Sequence, residues 1–328
     1  INPVMKLIGE GKTHHSFRLA RKIKRGDLTK NEIYLLMKKV IDKEPEENYL
    51  TNIFKGKHYY SRENLRQIFK IRSNIEAIED EDLKIIFLLS LLSISVEISN
   101  LKRSPDLKYR PKELWNTKKA KVEFEKRLMQ IISDICNLEV YAIGRAKIYC
   151  SSAESLKWTA DGDVDLIITS PPYLNGTNYC RNTKLELWLS GLLQTDADLK
   201  NLRKASITCS INTAQNRTFE MFSIKEINKT IKAIRRKAYD PRITPMVANY
   251  FHEMWHVTES MYRVLRKGGV AYSVMGDSAF NNVHIPTHKH LERIAKEVGF
   301  SSTHEVFLRE RRSRGGMKLC EVVQIFKK

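Results

Sequence analysis

Cysteines are few in this sequence, and long apolar runs are absent. Its 328 residues include five cysteines, an odd number at wide spacing, without a Cys-x-x-Cys pair or a His/Cys cluster. This pattern excludes a disulfide framework and predicts reduced thiols, no metal site and a cytoplasmic location. The longest apolar run, residues 85–98, contains four polar side chains and is shorter than the about 20 residues that a membrane-spanning helix needs. We therefore expect a buried helix there and no membrane partner.

The beginning of the sequence lacks two common features. The first residues include no apolar stretch typical of a signal peptide, and the first residue is not an initiator methionine. We therefore expect a processed or truncated chain, or one part of a larger protein.

Basic residues clearly outnumber acidic ones. Lys and Arg together number 57 and Asp and Glu 38, which gives a formal net charge of +19. Such an excess favours a polyanionic partner, because each neutralised phosphate releases counterions. A basic protein without such a partner is the alternative. At 328 residues the chain exceeds one ordinary hydrophobic core, which predicts a catalytic domain and a second lobe.

One short stretch, residues 163–173, guides the prediction of function. Acidic residues lead into an apolar run that ends at Pro171 and Pro172, a pattern that predicts a buried parallel strand. Open α/β sheets place their ligand sites at the carboxyl ends of such strands. The prolines stiffen the backbone, and the carbonyls of Ser170 and Pro171 lack local donors, so they can accept from a ligand's amino group. Tyr173 adds an aromatic face suited to stacking on a base. A proline-terminated edge strand is the alternative.

The sequence Ser170-Pro171-Pro172-Tyr173 resembles the catalytic motif of the S-adenosylmethionine-dependent amino-methyltransferases. The serine form is most typical of DNA cytosine-N4 enzymes. Residues 174–179, Leu-Asn-Gly-Thr-Asn-Tyr, and residues 184–188, Lys-Leu-Glu-Leu-Trp, are also similar to that family. The resemblance implies an α/β fold in which a Rossmann-like methyltransferase sheet carries a large helical insertion and a C-terminal antiparallel hairpin. It further implies S-adenosyl-L-methionine as cofactor and the four motif residues as catalytic.

The resemblance also implies where the cofactor binds. In relatives, the second strand ends at a segment like Asn2-Pro3. An acidic residue that holds the cofactor ribose lies just before that segment, and that residue is not in this sequence. Ser152 stands where relatives have an aspartate beside the adenine, and a hydroxyl accepts a hydrogen bond more weakly than a carboxylate. An ordinary turn with serine caps is an equally good interpretation. The implied cofactor-binding residues are Asn2, Pro3, Ser151, Ser152, Ala153 and Thr169.

The glycine-rich loop that relatives place beside the methionine moiety is not visible in its usual position. Gly9-Glu10-Gly11 is an alternative for that loop, although a lone Gly-x-Gly is a weak signal and no clear strand precedes it. We therefore expect a complementary N-terminal polypeptide or subunit that supplies the first strand, the glycine loop and the ribose-binding acid.

Candidates for DNA contact lie in loops and at basic helix ends. Residues 194–245 are polar and include a helix that Ser223 and Glu226 are expected to cap and that ends in basic residues, and the tip of the predicted hairpin is rich in arginine. Flexible arginine-rich segments suit phosphate binding, whereas solvated surfaces are the alternative. The candidate DNA-binding residues are Asn175, Arg235, Arg236, Arg311, Arg312 and Arg314.

Periodicity divides the chain into five segments. Helices are predicted for residues 65–78, 82–98, 122–135, 185–193 and 250–265, and strands for 140–143, 146–149, 270–275, 305–308 and 321–326. Thr29 and Glu32 predict a capping box, and Gly268-Gly269 a glycine cap. The segments are an edge of the Rossmann core (1–13), a helical insertion lobe (14–139), a catalytic core with the Ser-Pro-Pro-Tyr motif (140–193), a candidate DNA-recognition segment (194–245) and the C-terminal part of the catalytic core (246–328).

Together these expectations describe a methyl transfer from S-adenosylmethionine to N4 of a cytosine that has been flipped out of double-stranded DNA. We expect the enzyme to belong to a restriction-modification or related system. An adenine-N6 DNA methyltransferase or an RNA amino-methyltransferase is the nearer alternative, since four residues do not fix the base. A non-catalytic nucleic-acid-binding subunit is the more distant one.

Overall fold

The chain divides into two compact units. The computed structural model describes residues 2–44, 56–104, 106–115, 117–140, 144–175, 177, 179–211, 213, 221–280, 282–313 and 315–328. The sheet unit comprises Ser151–Tyr179 and Asn201–Lys328, and the helical unit comprises Asn2–Cys150 and Cys180–Lys200. The five functional segments proposed from the sequence do not follow these boundaries, and they remain a proposal. Among the described residues, no helix is long and apolar enough to cross a membrane.

The described residues form many helices and a multi-stranded sheet, a mixed α/β arrangement that confirms the predicted class at that level. The helices are α1 Pro3–Glu10, α2 Ser16–Arg25, α3 Lys30–Asp42, α4 Arg62–Glu76, α5 Glu81–Ile94, α6 Ala120–Cys136, α7 Tyr179–Asn182, α8 Lys184–Leu189, α9 Asp196–Lys204, α10 Lys225–Lys237, α11 Ile243–Val264 and α12 Thr287–Val298. The strands are β1 Leu101–Arg103, β2 Leu107–Tyr109, β3 Val164–Thr169, β4 Leu265–Gly276, β5 Ser278–Phe280, β6 Val283–Ile285, β7 Ser302–Arg312 and β8 Lys318–Lys327. A π-helical turn, Gly11–His15, joins α1 to α2, and a 3₁₀ turn, Lys112–Leu114, precedes α6.

Side-chain caps define the helix starts in the helical unit. The Asn2 side chain accepts a hydrogen bond from the Val4 backbone N–H at 3.2 Å. Pro3 takes the first helical position, where a backbone N–H has no partner within the helix, so the proline costs no hydrogen bond. The predicted capping box is confirmed, because Thr29 and Glu32 exchange hydrogen bonds at the start of α3. Helix α5 is buried along most of its length, as the apolar run predicted.

Gly9 and Gly11 serve helix packing. Gly9 lies in α1 and Gly11 in the π-helical turn. A Cβ atom on Gly11 would collide with the Leu89 side chain of α5, and one on Gly9 would lie 3.3 Å from the Ile148 side chain. These glycines therefore allow close packing and do not form a loop open to a cofactor. The alternative that placed the glycine-rich loop at residues 9–11 is wrong.

A four-stranded sheet organises the sheet unit, in the order β3-β4-β8-β7. Strand β3 runs parallel to β4, whereas the pairs β4–β8 and β8–β7 are antiparallel. The predicted C-terminal hairpin is thus present, over a longer range than the sequence indicated. Because β3 and β4 are parallel, their carboxyl ends lie at the same edge of the sheet.

The two faces of this sheet have different surroundings. One face packs on α11 and α12 through buried side chains that include Ala271 and Phe326. The opposite face carries apolar side chains that are exposed to solvent, with Leu166 51%, Ile168 75% and Val306 52% exposed. The prediction of a buried strand at β3 is therefore wrong: within the described residues β3 is an edge strand that is covered on one face.

The glycines after α11 form a bulge and not a helix cap. Strand β4 begins immediately after α11 ends, at Leu265. Leu265 pairs with Val164, but the next pair joins Val270 to Leu166, so the intervening residues of β4 bulge out. Gly268 has a φ of +77°, a left-handed conformation that glycine adopts without steric cost. The predicted glycine cap is therefore wrong.

The region predicted as strands at 140–149 has a different structure. Residues 146–149 have no regular secondary structure, and residues 141–143 lie outside the described part of the chain. The Ala146 carbonyl lies 2.9 Å from Nε2 of His14, and the Ile148 side chain packs at Gly9. Contacts with the helices thus replace strand pairing in this stretch.

Helix α10 starts without the expected cap from Ser223. Its N-cap residue is Ile224, which makes no side-chain hydrogen bond. Asn228 instead exchanges two hydrogen bonds with the backbone of Phe222, at 3.1 and 2.7 Å. An amide inside the first turn therefore fixes the chain that enters the helix, without capping the helix N–H groups.

Candidate active site

The Ser-Pro-Pro-Tyr motif follows directly on the carboxyl end of β3. Thr169, the last residue of that strand, pairs with Ser273 of β4. The motif then leaves the sheet without regular secondary structure, with Ser170 exposed and Pro171, Pro172 and Tyr173 half-buried. The motif thus lies at the edge where the two parallel strands end, as the sequence predicted.

A hydrogen bond to a buried carboxylate positions the Tyr173 ring. The Tyr173 hydroxyl donates to Oε1 of Glu321, a β8 residue that is 6% exposed, at 2.7 Å. Oε2 of Glu321 accepts from Nε of Arg309, and this bond is the main reason that the pKa of Glu321 is lowered. Burial, and then Glu321, raise the pKa of Tyr173 to about 12. At neutral pH the carboxylate is therefore ionised and the phenol remains a protonated donor.

Arg311 packs between the Tyr173 ring and the end of β4. Its guanidinium carbon lies 5.5 Å from the centre of the ring, and its Nη2 donates to the backbone carbonyl of Asp277 at 3.2 Å. A cation in this position is attracted to the aromatic face. Gly276 makes room for it, since a Cβ atom there would collide with the guanidinium and lie 3.1 Å from the Tyr173 ring.

The loop after Tyr173 is held by its own hydrogen bonds. The Asn175 backbone N–H donates to the Tyr173 carbonyl at 2.8 Å, and the Asn175 side-chain oxygen accepts from the Thr177 N–H at 2.9 Å. The Cys209 thiol donates to the Thr177 carbonyl at 3.2 Å. Asn175 is exposed and lies two residues after the motif tyrosine.

The predicted cofactor-binding residues belong to both units. Asn2 and Pro3 begin α1 in the helical unit, where the Asn2 side-chain amide also donates to Oγ1 of Thr183 at 2.8 Å. Residues 151–153 and Thr169 belong to the sheet unit.

The turn at residues 151–154 is capped by serine. The Ser152 hydroxyl donates to Oε2 of Glu154 at 3.1 Å and accepts from the Glu154 backbone N–H at 3.2 Å. The Glu154 carbonyl in turn accepts from Oγ of Ser260 at 2.6 Å. The turn is therefore fixed to α11, and Glu154 supplies a carboxylate two residues after the position where relatives have an aspartate.

The predicted DNA-binding arginines differ in exposure. Arg235 and Arg236 are exposed in the last turn of α10, and Arg312 is exposed at the end of β7. Arg311 is directed inward, toward Tyr173 and Asp277. Arg314 lies outside the described residues.

Sequence reasoning missed Glu321, Arg309 and Gly276. Glu321 did carry a signal, because an acidic side chain within the apolar β8 segment needs a partner when it is buried. Arg309 and Gly276 carried no such signal in the sequence, because their positions beside the motif depend on the pairing of β4, β7 and β8.

Curated relatives of the chain are named Type II methyltransferases. Over 177 residues the chain is 28% identical to the Type II methyltransferases M.AvaI of a Nostoc species and of Anabaena variabilis, a match that covers 49% of this chain and 36% of each relative. It is 23% identical over 193 residues to the Type II methyltransferase M.BsoBI of Geobacillus stearothermophilus, which covers 52% of this chain and 38% of that relative. The chain thus spans little more than a third of the length of these relatives. No family model and no solved structure matches it.

We expect Glu321→Gln to lower the pKa of Tyr173 from about 12 toward its usual value. Loss of the neighbouring negative charge makes the phenolate less unfavourable, while burial of the ring remains. The titration can be followed by NMR of ring-labelled tyrosine, with Tyr173→Phe to assign the signal. Glu310→Gln is the matched control: Glu310 of β7 pairs with Lys318 of β8, and its replacement should leave the titration of Tyr173 unchanged. An unaltered Tyr173 titration in Glu321→Gln would show that this carboxylate does not hold the ring.

Proposed function

We propose that the protein is a site-specific DNA methyltransferase that transfers a methyl group from S-adenosyl-L-methionine to N4 of cytosine in a restriction-modification or related system. The observation that carries this proposal is the position of Ser170–Tyr173 just past a parallel strand, with the tyrosine ring fixed by Glu321 and Arg311. Similarity to Type II methyltransferases supports DNA methylation as the reaction class. The serine form of the motif favours the cytosine amino group over the adenine one.

The proposed reaction depends on orientation of an amino group. The target base leaves the duplex, because its amino group is otherwise paired. The Ser170 hydroxyl and the Pro171 carbonyl accept hydrogen bonds from the two N–H groups of that amine, which turns its nitrogen lone pair toward the methyl donor. As the nitrogen takes the methyl group it gives up one of its two protons, which passes to water. The Tyr173 ring stacks on the base. Proximity and alignment then supply most of the rate enhancement, without a covalent enzyme intermediate.

Tyr173 suits this role because its position and ionisation are both fixed. With a pKa of about 12 the phenol stays neutral, and its π face attracts a base that gains positive charge as the methyl group is transferred. The bond to Glu321 prevents the ring from rotating away when no base is present. Pre-organisation of this kind lowers the free energy that substrate binding must supply for alignment.

S-adenosyl-L-methionine would supply an electrophilic methyl group on a sulfonium. The described residues fit part of such a cofactor: Thr169 and Ser151–Ala153 lie in the sheet unit, and we add Glu154 as the carboxylate for the adenine amino group. Asn2 and Pro3 are the proposed contacts of the helical unit. Gly9 and Gly11 do not fit as the glycine-rich loop, because both are committed to helix packing.

Double-stranded DNA is the proposed partner of the basic surface. The exposed arginines of α10 and β7 provide phosphate contacts whose binding energy falls with salt. The segment 194–245 is proposed as the DNA-recognition segment, with Asn175 near the flipped base. Arg311 would act mainly through Tyr173.

A complementary polypeptide is the second proposed partner. Strand β3 has no neighbour on its outer side among the described residues, and the sheet face with Leu166, Ile168 and Val306 is apolar and exposed. An unpaired strand edge can pair with a further strand, and an exposed apolar sheet face can be covered by further helices. We propose that a segment carrying the first strand, the glycine-rich loop and the ribose-binding acid completes the Rossmann-like sheet here.

We expect Ser170→Ala and Tyr173→Ala each to lower methylation of DNA roughly 100-fold, since each removes a group that orients the base. Methylation is measured with labelled cofactor, and far-ultraviolet circular dichroism checks that the fold is kept. Tyr34→Ala, an exposed aromatic on α3, is the matched control and should keep wild-type turnover. Wild-type turnover in both motif variants would contradict this assignment of the site.

We expect the double variant Ile168→Lys, Val306→Lys to bind a hydrophobic fluorescent dye more weakly than the wild-type chain and to lose methylation in the complete enzyme. Both side chains are exposed, so lysine is compatible with the fold of this chain but not with a covered sheet face. Leu35→Lys, a change at another exposed apolar side chain, is the control for charge. Full activity of the double variant would show that nothing covers this face.

A further inference from the structure

Three metal-ligating side chains, those of Asp277, His288 and Cys320, converge beside the end of β4, and the more exposed His284 contacts one of them from outside. His288 Nδ1 lies 2.6 Å from Oδ1 of Asp277, and His284 Nε2 lies 2.8 Å from Oδ2 of Asp277. The Cys320 sulfur lies 3.2 Å from Oδ2 of Asp277 and 3.5 Å from Nδ1 of His288. Within the described residues, Asp277, His288 and Cys320 are the one group of three or more His, Cys, Asp or Glu side chains whose donor atoms all lie within 4.8 Å of one another.

These distances are close to those of a tetrahedral zinc site. With Zn–S near 2.3 Å and Zn–N or Zn–O near 2.0–2.1 Å, tetrahedral geometry places sulfur and nitrogen ligands about 3.6 Å apart and nitrogen and oxygen ligands about 3.3 Å apart. The observed separation of Cys320 Sγ from His288 Nδ1 is 3.5 Å. The histidine–aspartate separations, 2.6 and 2.8 Å, are those of hydrogen bonds, so the carboxylate must move outward to admit the ion.

The chemistry of the donors favours zinc over other common ions. A thiolate, two imidazoles and a carboxylate form a mixed sulfur, nitrogen and oxygen set, whereas magnesium and calcium prefer oxygen alone. With both imidazoles neutral, the two anionic ligands balance the double charge of the ion. Asp277 is 2% exposed and His288 7% exposed, so such a neutral centre would be mostly enclosed, and the partly exposed His284 provides the route of entry.

Neighbouring groups already orient these ligands. The Asp277 backbone N–H donates to the Cys320 carbonyl at 2.9 Å, which fixes two ligands from different strands side by side. The other ring nitrogen of His288 lies 3.7 Å from Oε2 of Glu305, and the His288 carbonyl accepts from the Gln324 side chain at 2.6 Å. A carboxylate behind a ligating histidine is a frequent arrangement at zinc sites, where it sets the tautomer.

We propose that Asp277, His288 and Cys320 bind a structural zinc ion, and that the exposed His284, which already contacts the Asp277 carboxylate, turns in as the fourth ligand. Four protein donors would then leave no open position for substrate, so the ion would join the end of β4, β6, α12 and β8. Its place in the fold is adjacent to the candidate active site, because Arg311 donates to the Asp277 carbonyl while its guanidinium lies over Tyr173. The ligands have no recognisable spacing in the sequence, because Cys320 lies more than 30 residues after the others and reaches them through strand pairing.

The test is the metal content of the purified full chain, prepared without a histidine tag and dialysed against metal-free buffer. Mass spectrometry should find one zinc ion per chain in the wild type, and loss of most of it in Cys320→Ser and His288→Gln. Glu305→Gln keeps all four ligands and should weaken zinc affinity by about 10–100-fold. Cys150→Ser and His256→Gln, changes at exposed residues elsewhere, should retain full zinc.

Cobalt exchange provides a readout that a general loss of folding would not reproduce. Cobalt added to the wild type should give a thiolate-to-cobalt charge-transfer band and the visible bands of tetrahedral cobalt. Cys320→Ser should lose the charge-transfer band while His284→Gln, whose side chain is partly exposed, keeps it with altered visible bands. Absence of bound zinc and of the charge-transfer band in the wild type, or an unchanged band in Cys320→Ser, would overturn the proposal and identify the cluster as a hydrogen-bonded network.

Discussion

The buried carboxylate of Glu321 is the group on which the candidate site depends most. An ionised acid at 6% exposure carries a desolvation cost of several kcal/mol unless it is paired. Here Arg309 and the Tyr173 hydroxyl provide the pairing, and hydrogen bonds to a charged group contribute about 1.5–3 kcal/mol each. The carboxylate therefore ties the loop after β3 to the C-terminal hairpin.

The register of the sheet decides whether that bond forms. Glu321 of β8 pairs with Gly276 of β4, the last residue of that strand. A slip of one residue would turn Glu321 to the opposite face and leave both Tyr173 and Arg309 without their acceptor. The same pairing brings Cys320 beside Asp277, so the proposed zinc ion would strengthen the register that positions Glu321. The antiparallel hairpin thus contributes directly to the site as well as closing the sheet.

The position of the motif at the carboxyl end of a parallel strand could be predicted from sequence because its signal is local: two prolines after an apolar run mark a strand end. Glu321, Gly276 and the Asp277–Cys320 cluster could not be placed from sequence, because their neighbours are set by strand pairing across tens of residues. The bulge at Gly268 was mistaken for a cap for a related reason: a glycine pair suits either structure, and only the pairing of Leu265 with Val164 decides between them. The exposure of β3 could not be predicted, because an apolar run indicates a strand but does not indicate how many of its faces and edges are covered.

The chemical identity of the modified base tests the central claim most directly. DNA from cells that express the complete enzyme can be digested to nucleosides and analysed by mass spectrometry, with an isotope-labelled methyl donor to mark new methyl groups. The proposed function predicts labelled N4-methylcytosine that disappears when the motif serine is replaced. Label confined to N6-methyladenine or to carbon 5 of cytosine, or no labelled nucleoside in DNA at all, would contradict the account.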